Sequence, residues 1–199
     1  MGRQQVDLRR EEILGATITA VESNGLARTR VADVASALEV SPGLIFYHFA
    51  TKDALLVAAF EYAVTQDLAL LDEQVGRGAD PVDRLRRVLS AYGPTGAASG
   101  WRIWIEAWSL ALRDEGIRTA LRRLDDRWRQ VLSDVLANGA DDGAFICPDP
   151  PGAAARLGAL LDGLSVATLV HGTVTRAQLR TWVRDAAAAE VGLEPQRLS

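Results

Sequence analysis

Apolar residues recur every three or four positions along almost the whole chain, which is the period of an amphipathic helix and not of a strand. Ala, Leu, Arg and Glu, all good helix formers, dominate these stretches. Gly, Asn and Pro separate them at positions that end or begin helices. We therefore predict an all-α fold of about nine helices with no strand, in a chain whose 199 residues fit one domain or two small ones.

Two short helices near the N-terminus form the most informative segment. The first is predicted to run from about residue 29 to 38. The second begins at Ser41, an N-cap residue followed by Pro42 at the first helical position, and Glu39-Val40 joins the two. This is the helix-turn-helix arrangement, in which the second helix enters the major groove of DNA. Helix pairs of this kind also occur in structural bundles, so the spacing by itself leaves both interpretations open.

The residues of this segment resemble the N-terminal domain of the tetracycline-repressor (TetR) family of one-component bacterial regulators. The resemblance rests on Asp33-Val34-Ala35 and on the run VSPGLIFYHFATKDAL over residues 40–55. It implies a three-helix DNA-binding domain over residues 1–53 and a helical effector-binding and dimerisation domain over residues 54–199. The implied function is a homodimeric, cytoplasmic transcriptional regulator, most often a repressor, that binds a palindromic double-stranded DNA operator and is released by a small-molecule effector.

The resemblance also assigns DNA contacts. Gly43 lacks a Cβ and would let the second helix lie close to DNA, and Lys52, the only lysine of the chain, begins the fourth helix where a phosphate is favoured. Phe46 stands where the resembling family more often has Tyr, so the contact that a Tyr hydroxyl could make is absent. The predicted contacts are Arg28, Arg30, Ser41, Pro42, Gly43, Leu44, Tyr47, His48 and Lys52. Because this set offers few hydrogen-bond donors to bases, we expect contacts with thymine methyls and DNA shape to contribute to readout.

Charge qualifies this interpretation. The formal net charge of the chain is −4, and residues 1–53 hold six basic and seven acidic side chains, so even this segment is not basic. The basic side chains cluster at helix starts and on the N-terminal arm; they are Arg3, Arg9, Arg10, Arg28, Arg30 and Lys52. The arginines fit solvated surface as well as phosphate contacts. We expect few phosphate contacts and a shallow dependence of DNA binding on salt.

Aromatic residues mark the C-terminal part. Trp101, Trp104 and Trp108 share one narrow helical face, and Trp128 belongs to the apolar stripe of the next helix. Such stripes usually fill a core, while the alternative is a ligand cavity lined by aromatic rings. This region resembles the choline-responsive repressors of betaine synthesis. The resemblance implies a quaternary ammonium ligand, which an aromatic cage would bind. The candidate pocket residues are Phe60, Tyr92, Trp101, Trp104, Trp108, Trp128 and Asp162.

The last two helices are predicted to form the dimer interface, since in the resembling family they build a four-helix contact with their symmetry mates. The predicted interface residues are Leu157, Leu160, Leu161, Leu164, Leu179, Trp182, Val183 and Ala186. A monomeric core is the alternative. Twin recognition helices need half-sites roughly 34–36 Å apart, which favours a two-fold dimer.

Other function classes find little support. The chain has two histidines and one cysteine, with no metal-ligand spacing, P-loop or nucleophile motif, so we expect neither an enzyme nor a bound metal or cofactor. No signal-peptide pattern begins the chain, and the most apolar stretch, residues 157–170, contains Asp162 and is short for a bilayer, so no membrane partner is expected. A helical adaptor or ligand-binding protein with weak or lost DNA binding is the alternative function, given Ala32 and Leu44 at exposed positions.

Overall fold

The structure is a computed structural model that describes residues 3–92 and 100–198, and of residues 3–8, 92, 100 and 102 it describes only the backbone. Within these ranges the chain forms nine α-helices and no strand, which confirms the predicted all-α fold. The helices are α1 (Arg3–Asn24), α2 (Val31–Ala37), α3 (Pro42–His48), α4 (Lys52–Arg77), α5 (Pro81–Tyr92), α6 (Gly100–Ala111), α7 (Glu115–Asp141), α8 (Pro150–Val166) and α9 (Arg176–Glu190). A π-helical turn (Ala167–His171) continues α8, and a 3₁₀ helix (Pro195–Leu198) follows α9.

Side chains at the helix starts explain why the helices begin where they do. The hydroxyl oxygen of Ser41 accepts a hydrogen bond from the Leu44 N–H (3.3 Å), and Thr51 and Thr175 cap α4 and α9 in the same way. Each cap satisfies one of the N–H groups that a helix start leaves without a partner. The sequence predicts N-caps at Ser41, Thr51 and Thr175, each directly before a helical pattern, and all three are confirmed.

The end of α7 differs from the prediction. The sequence pair Asn138-Gly139 predicts a stop, but the helix continues to Asp141. A Cβ at Gly139 would lie 2.1 Å from Cζ of Phe145, so the glycine serves the close approach of that ring inside the helix. Its lack of a side chain is required by packing and not by a turn.

The helices group into two compact units. The first unit comprises the described residues up to 66 together with 100–122, and the second comprises residues 67–92 together with 123–198. The first unit therefore contains α1–α3, the first half of α4, α6 and the start of α7. The second unit contains α5, most of α7, α8 and α9, with a core that includes Leu85, Leu136 and Leu157. The functional boundary between residues 53 and 54 stays a prediction, since packing groups describe contacts and not roles.

Two helical segments, Lys52–Arg77 and Pro150–His171, are long and apolar enough to cross a membrane by length and composition. The second is longer than the apolar stretch recognised in the sequence, residues 157–170, mainly because α8 begins at Pro150. Core helices of globular proteins have the same length and composition, so the observation by itself is weak, and the absence of a membrane partner stays a prediction. Only 28% of the apolar window of the second segment is buried within the chain, so apolar surface remains on that helix.

Candidate nucleic-acid interface

The helix-turn-helix is held by a small apolar core in the first unit. Val34 and Ala35 of α2 and Ile45 of α3 are buried together with Ile13 and Leu55 from α1 and α4. Burial of these side chains removes apolar surface from water and holds α2 and α3 against the longer helices. The sequence predicts that Val31, Val34, Ala35 and Leu38 of the second helix face inward. Val34 and Ala35 are buried, and Val31 and Leu38 are half-buried against the same core.

The turn between α2 and α3 is a Schellman motif built without glycine. The N–H of Val40 donates to the Ala35 carbonyl (3.0 Å) and the N–H of Glu39 donates to the Ser36 carbonyl (3.2 Å). Glu39 has a φ of 54°, in the left-handed region that L-residues other than Asn and Asp seldom occupy. Val40 then packs on the apolar core. The turn thereby sets the direction of α3 at the cost of some backbone strain.

The outer face of α3 is open to solvent. Tyr47 is 79% exposed and Phe46 is 47% exposed, and Ser41, Pro42 and Gly43 at the start of the helix are exposed as well. Tyr47 packs edge-on against His48, with ring centroids 5.4 Å apart. Large aromatic side chains left in water are the exception in a folded chain, so this face is available to a partner.

Gly43 has no internal reason to be glycine. Its φ is not positive, and a Cβ at this position would meet only the Ser41 hydroxyl oxygen, at an ordinary 3.7 Å. The protein itself therefore has room for a side chain at the start of α3. The space that a glycine leaves free lies on the exposed side of the helix.

The predicted basic contacts surround α3 in the chain. Arg28 and Arg30 are exposed, and among the described residues neither has an ion pair. The Nε of Arg28 donates to the Asn24 carbonyl at the end of α1 (2.8 Å), which restrains the side chain. Lys52 is the first residue of α4 and half-buried, next to the N–H groups of that helix start.

The described arginines of the N-terminal arm contact neighbouring side chains, and their phosphate contacts stay a prediction. The guanidinium of Arg10 lies over the ring of Phe49, 5.1 Å from its centroid, and Arg9 forms an ion pair with Glu12 (2.5 Å). Arg10 therefore packs on the residue that follows α3, and part of the charge of Arg9 is neutralised. The side chain of Arg3 lies outside the described residues.

A contact between α1 and α6 was not anticipated from the sequence. The carboxylate of Glu106 accepts a hydrogen bond from the N–H of Leu26, just beyond the end of α1. Gly25, with a φ of 80°, brings the backbone to this carboxylate, and a Cβ there would lie 3.1 Å from Oε1. Asn24-Gly25 signals the end of a helix, but nothing local in the sequence identifies a partner 80 residues away.

Four of the predicted pocket residues lie in the first unit and form two aromatic pairs. Phe60 packs edge-on against Trp104 (centroids 5.0 Å apart), and Trp101 packs edge-on against Trp108 (6.1 Å). Phe60, Trp101 and Trp104 are buried, and Trp108 is half-buried. Edge-to-face pairs of this kind stabilise a core and also line ligand sites, so both interpretations remain.

The other pocket candidates are distributed differently. Trp128 is buried in the core of the second unit, and Asp162 is half-buried on α8. The side chain of Tyr92 lies outside the described residues. The assignment of these residues to one effector pocket stays a prediction.

Most of the predicted dimer-interface residues are already buried within the chain. The buried ones are Leu157, Leu161, Leu164, Leu179 and Val183. Leu160 and Ala186 are half-buried, and Trp182 is 44% exposed. A side chain buried in its own chain offers little surface to a second copy, so the dimer prediction depends mainly on the outward-facing residues.

Two family models match the chain. Residues 13–59 match the model described as bacterial regulatory proteins of the tetR family, and residues 81–192 match the model described as the C-terminal part of a BetI-type transcriptional repressor. The first match covers the helix-turn-helix, and the second covers more than half of the chain.

Named proteins and solved structures are similar over nearly the whole length. The HTH-type transcriptional regulators BetI of Paraburkholderia phymatum and Paraburkholderia xenovorans are 30% and 32% identical, over 87% and 88% of this chain and 89% and 90% of their own. A protein of Saccharomonospora viridis described as a transcriptional regulator, solved in complex with choline, is 26% identical, with a TM-score of 0.83 over 93% of this chain and 98% of that one. A transcriptional regulator of Rhodococcus sp. Rha1 has a TM-score of 0.74 at 26% identity, over 92% and 94%.

Proposed function

Because this chain belongs to the TetR family of bacterial regulatory proteins, with a C-terminal part of the BetI type, we propose that it is a homodimeric repressor released from a palindromic operator by a small-molecule effector. Members of the family are transcriptional regulators, which confirms the prediction that the chain is not an enzyme. The observation that carries the proposal is the exposed face of α3, where Tyr47 and Gly43 face solvent on a helix whose other side is anchored in the core.

DNA binding is proposed to combine close approach with a few charged contacts. Gly43 lets the backbone of α3 lie near base edges, and Tyr47 reaches outward from the same helix. Lys52 and the free N–H groups at the start of α4 bind one phosphate, since ammonium charge and helix dipole both favour an anion there. Arg28 and Arg30 bind the phosphates beside it.

The experiment for this step is binding by fluorescence anisotropy to a duplex selected from random DNA. We expect Tyr47→Ala to weaken binding about ten-fold. We expect Lys52→Gln to weaken binding to all sequences and to reduce the slope of log affinity against log salt concentration by about one. Arg123→Gln, at an exposed arginine of α7, serves as the control for lost charge and is expected to bind like wild type. Salt-independent or absent binding would favour the helical adaptor instead.

Dimerisation is proposed to use the outward faces of α8 and α9. Trp182 and Val170, which is 55% exposed, leave apolar surface in water, and nothing lies within 4 Å of a Cβ built at Gly163. Burial of this surface against a second copy would form a dimer in which the α3 helices of the two copies enter successive turns of the major groove. In sedimentation velocity we expect Trp182→Glu to shift the protein toward monomer, whereas Leu112→Glu, at a leucine 79% exposed on another surface, leaves the dimer intact.

The effector is proposed to be a quaternary ammonium compound of the choline type. The support is the choline complex of the Saccharomonospora viridis protein together with the aromatic rings that α6 carries. Aromatic faces attract such cations through the ring quadrupole. We expect choline to raise the melting temperature, and Trp108→Ala, at the half-buried ring, to abolish that rise while the chain still folds.

Coupling is proposed to pass through the contact between Glu106 and Leu26. Glu106 lies on α6 between Trp104 and Trp108, and its carboxylate holds the end of α1. An effector that displaces α6 thereby changes the support of the helix-turn-helix, provided that it binds the two arrangements with different affinity. We expect Glu106→Ala to keep choline binding and lose choline-dependent release of DNA, and Glu106→Gln, which retains an acceptor oxygen, to preserve part of the release.

A further inference from the structure

A cavity of about 360 Å³ lies in the second unit, between α5, α8, α9 and the C-terminal 3₁₀ helix. Its volume falls within the range of about 300–1,000 Å³ that is typical of sites for small organic ligands. None of the predicted pocket residues lines it. The cavity is therefore separate from the aromatic residues assigned to the proposed effector.

The floor of the cavity is apolar. It is made by buried side chains from all four elements, namely Leu89, Leu161, Leu179, Val183 and Leu198. An apolar ligand that enters the cavity leaves water and contacts these side chains, which favours binding. This contribution does not depend on the charge of the ligand.

The rim of the cavity is positively charged. Arg86, Arg180 and Arg184 line it, and no Asp or Glu is among the described residues that do so. Arg86 pairs with Asp83 and Arg184 pairs with Asp185 (2.9 Å), both outside the lining. Arg180 has no ion pair within the described ranges and is exposed, so its guanidinium remains available.

The two arginines of α9 are well placed to act together. Arg180 and Arg184 are four residues apart, so they project from the same face of the helix one turn apart. A guanidinium presents paired N–H donors that match the two oxygens of a carboxylate. The hydroxyl of Thr181 lies beside them on the rim.

We propose that this cavity binds an organic anion, a carboxylate carried on an apolar body the size of a medium-length acyl chain. The carboxylate binds to the guanidinium of Arg180, beside Arg184, whose Nε and Nη2 already donate to Asp185. The apolar body lies on the leucine floor. This site extends the proposed function, because its ligand has the opposite charge to the proposed effector and its test does not involve DNA. Two residues along a helix differ by about 200° around its axis, so Trp182 lies nearly opposite Arg180 and Arg184 on α9.

The test is calorimetric titration of the full chain with sodium octanoate, and with 1-octanol as an uncharged molecule with a tail of similar length. We expect saturable octanoate binding, with 1-octanol at least about ten-fold weaker because it lacks the carboxylate. Arg180→Gln is expected to weaken octanoate binding about ten-fold or more, because it removes the unpaired guanidinium. The matched control Arg123→Gln, an exposed arginine remote from the lining, is expected to bind octanoate like wild type.

A second variant fills the space without changing the charge. Ala177 lines the rim and is exposed, so Ala177→Trp is expected to fold normally and to reduce octanoate binding by occupying the cavity. Octanoate affinity that neither variant changes would locate the ligand elsewhere and overturn the proposal. Equal affinity for 1-octanol, or no saturable octanoate binding up to about 10 mM, would overturn it as well.

Discussion

Replacing Gly43 with alanine separates the stability of α3 from its approach to DNA. Alanine is favoured over glycine in helices by about 0.5–1 kcal/mol, and near a helix start we expect the lower value. The added Cβ meets only the Ser41 hydroxyl oxygen at 3.7 Å, so no clash offsets the gain. Since about 1 kcal/mol corresponds to a rise of roughly 2–4 °C in a chain of this size, Gly43→Ala should raise the melting temperature by about 1–2 °C.

DNA binding should change in the opposite direction. A methyl group at the point where α3 meets the groove holds the two surfaces apart, and we expect an affinity loss of at least ten-fold, about 1.4 kcal/mol. Thermal denaturation followed by circular dichroism and anisotropy on the selected duplex measure the two effects. Gly76→Ala is the matched control, because Gly76 also lies near a helix end with nothing within 4 Å of a Cβ, so it should gain stability and bind normally. Wild-type DNA affinity in Gly43→Ala would refute the close approach of α3.

Three further substitutions test the packing and electrostatics of the chain. Glu39→Gly should stabilise the folded state by about 0.5–1 kcal/mol in urea denaturation. Glycine adopts the left-handed conformation without the steric penalty of a Cβ, and this gain exceeds the cost of the extra conformational entropy that glycine has in the unfolded chain. Gly139→Ala should destabilise it by about 1–3 kcal/mol in the same assay, since the new methyl overlaps the Phe145 ring; a change below experimental error would contradict that packing. Burial raises the pKa of Asp67 from 3.8 to about 6. The stability that its protonated carboxyl contributes is therefore fully present below pH 3.8 and is lost as pH rises through 6. Asp67→Asn should therefore raise the melting temperature at pH 7.5 and flatten its change between pH 4 and 6, and an unaltered pH profile would count against the burial of this carboxyl.

Local signals in the sequence account for the helix-turn-helix. Ser41 caps α3, Thr51 caps α4, and the alternation of buried and exposed positions in α2 follows the helical period. Each of these features depends on residues within about four positions of each other, so the sequence displays them directly. The turn at Glu39 is the exception, since a residue that normally avoids positive φ occupies it under the constraint of the packed helices.

Long-range packing decided what the sequence left open. Leu157 of α8 and Leu179 of α9 each lie on an apolar helical face that fits either a dimer interface or a core, and the structure buries both within one chain. The hydrogen bond from Leu26 to Glu106 and the arginine-rimmed cavity join segments far apart along the chain. Amphipathic spacing thus determined that this protein is a bundle of helices, and the resemblance of residues 33–35 and 40–55 to a known family indicated the DNA-binding motif. Which side of each helix meets which neighbour was decided only by the tertiary structure, because apolar burial has no direction of its own and takes its partners from whatever surface the folded chain brings near.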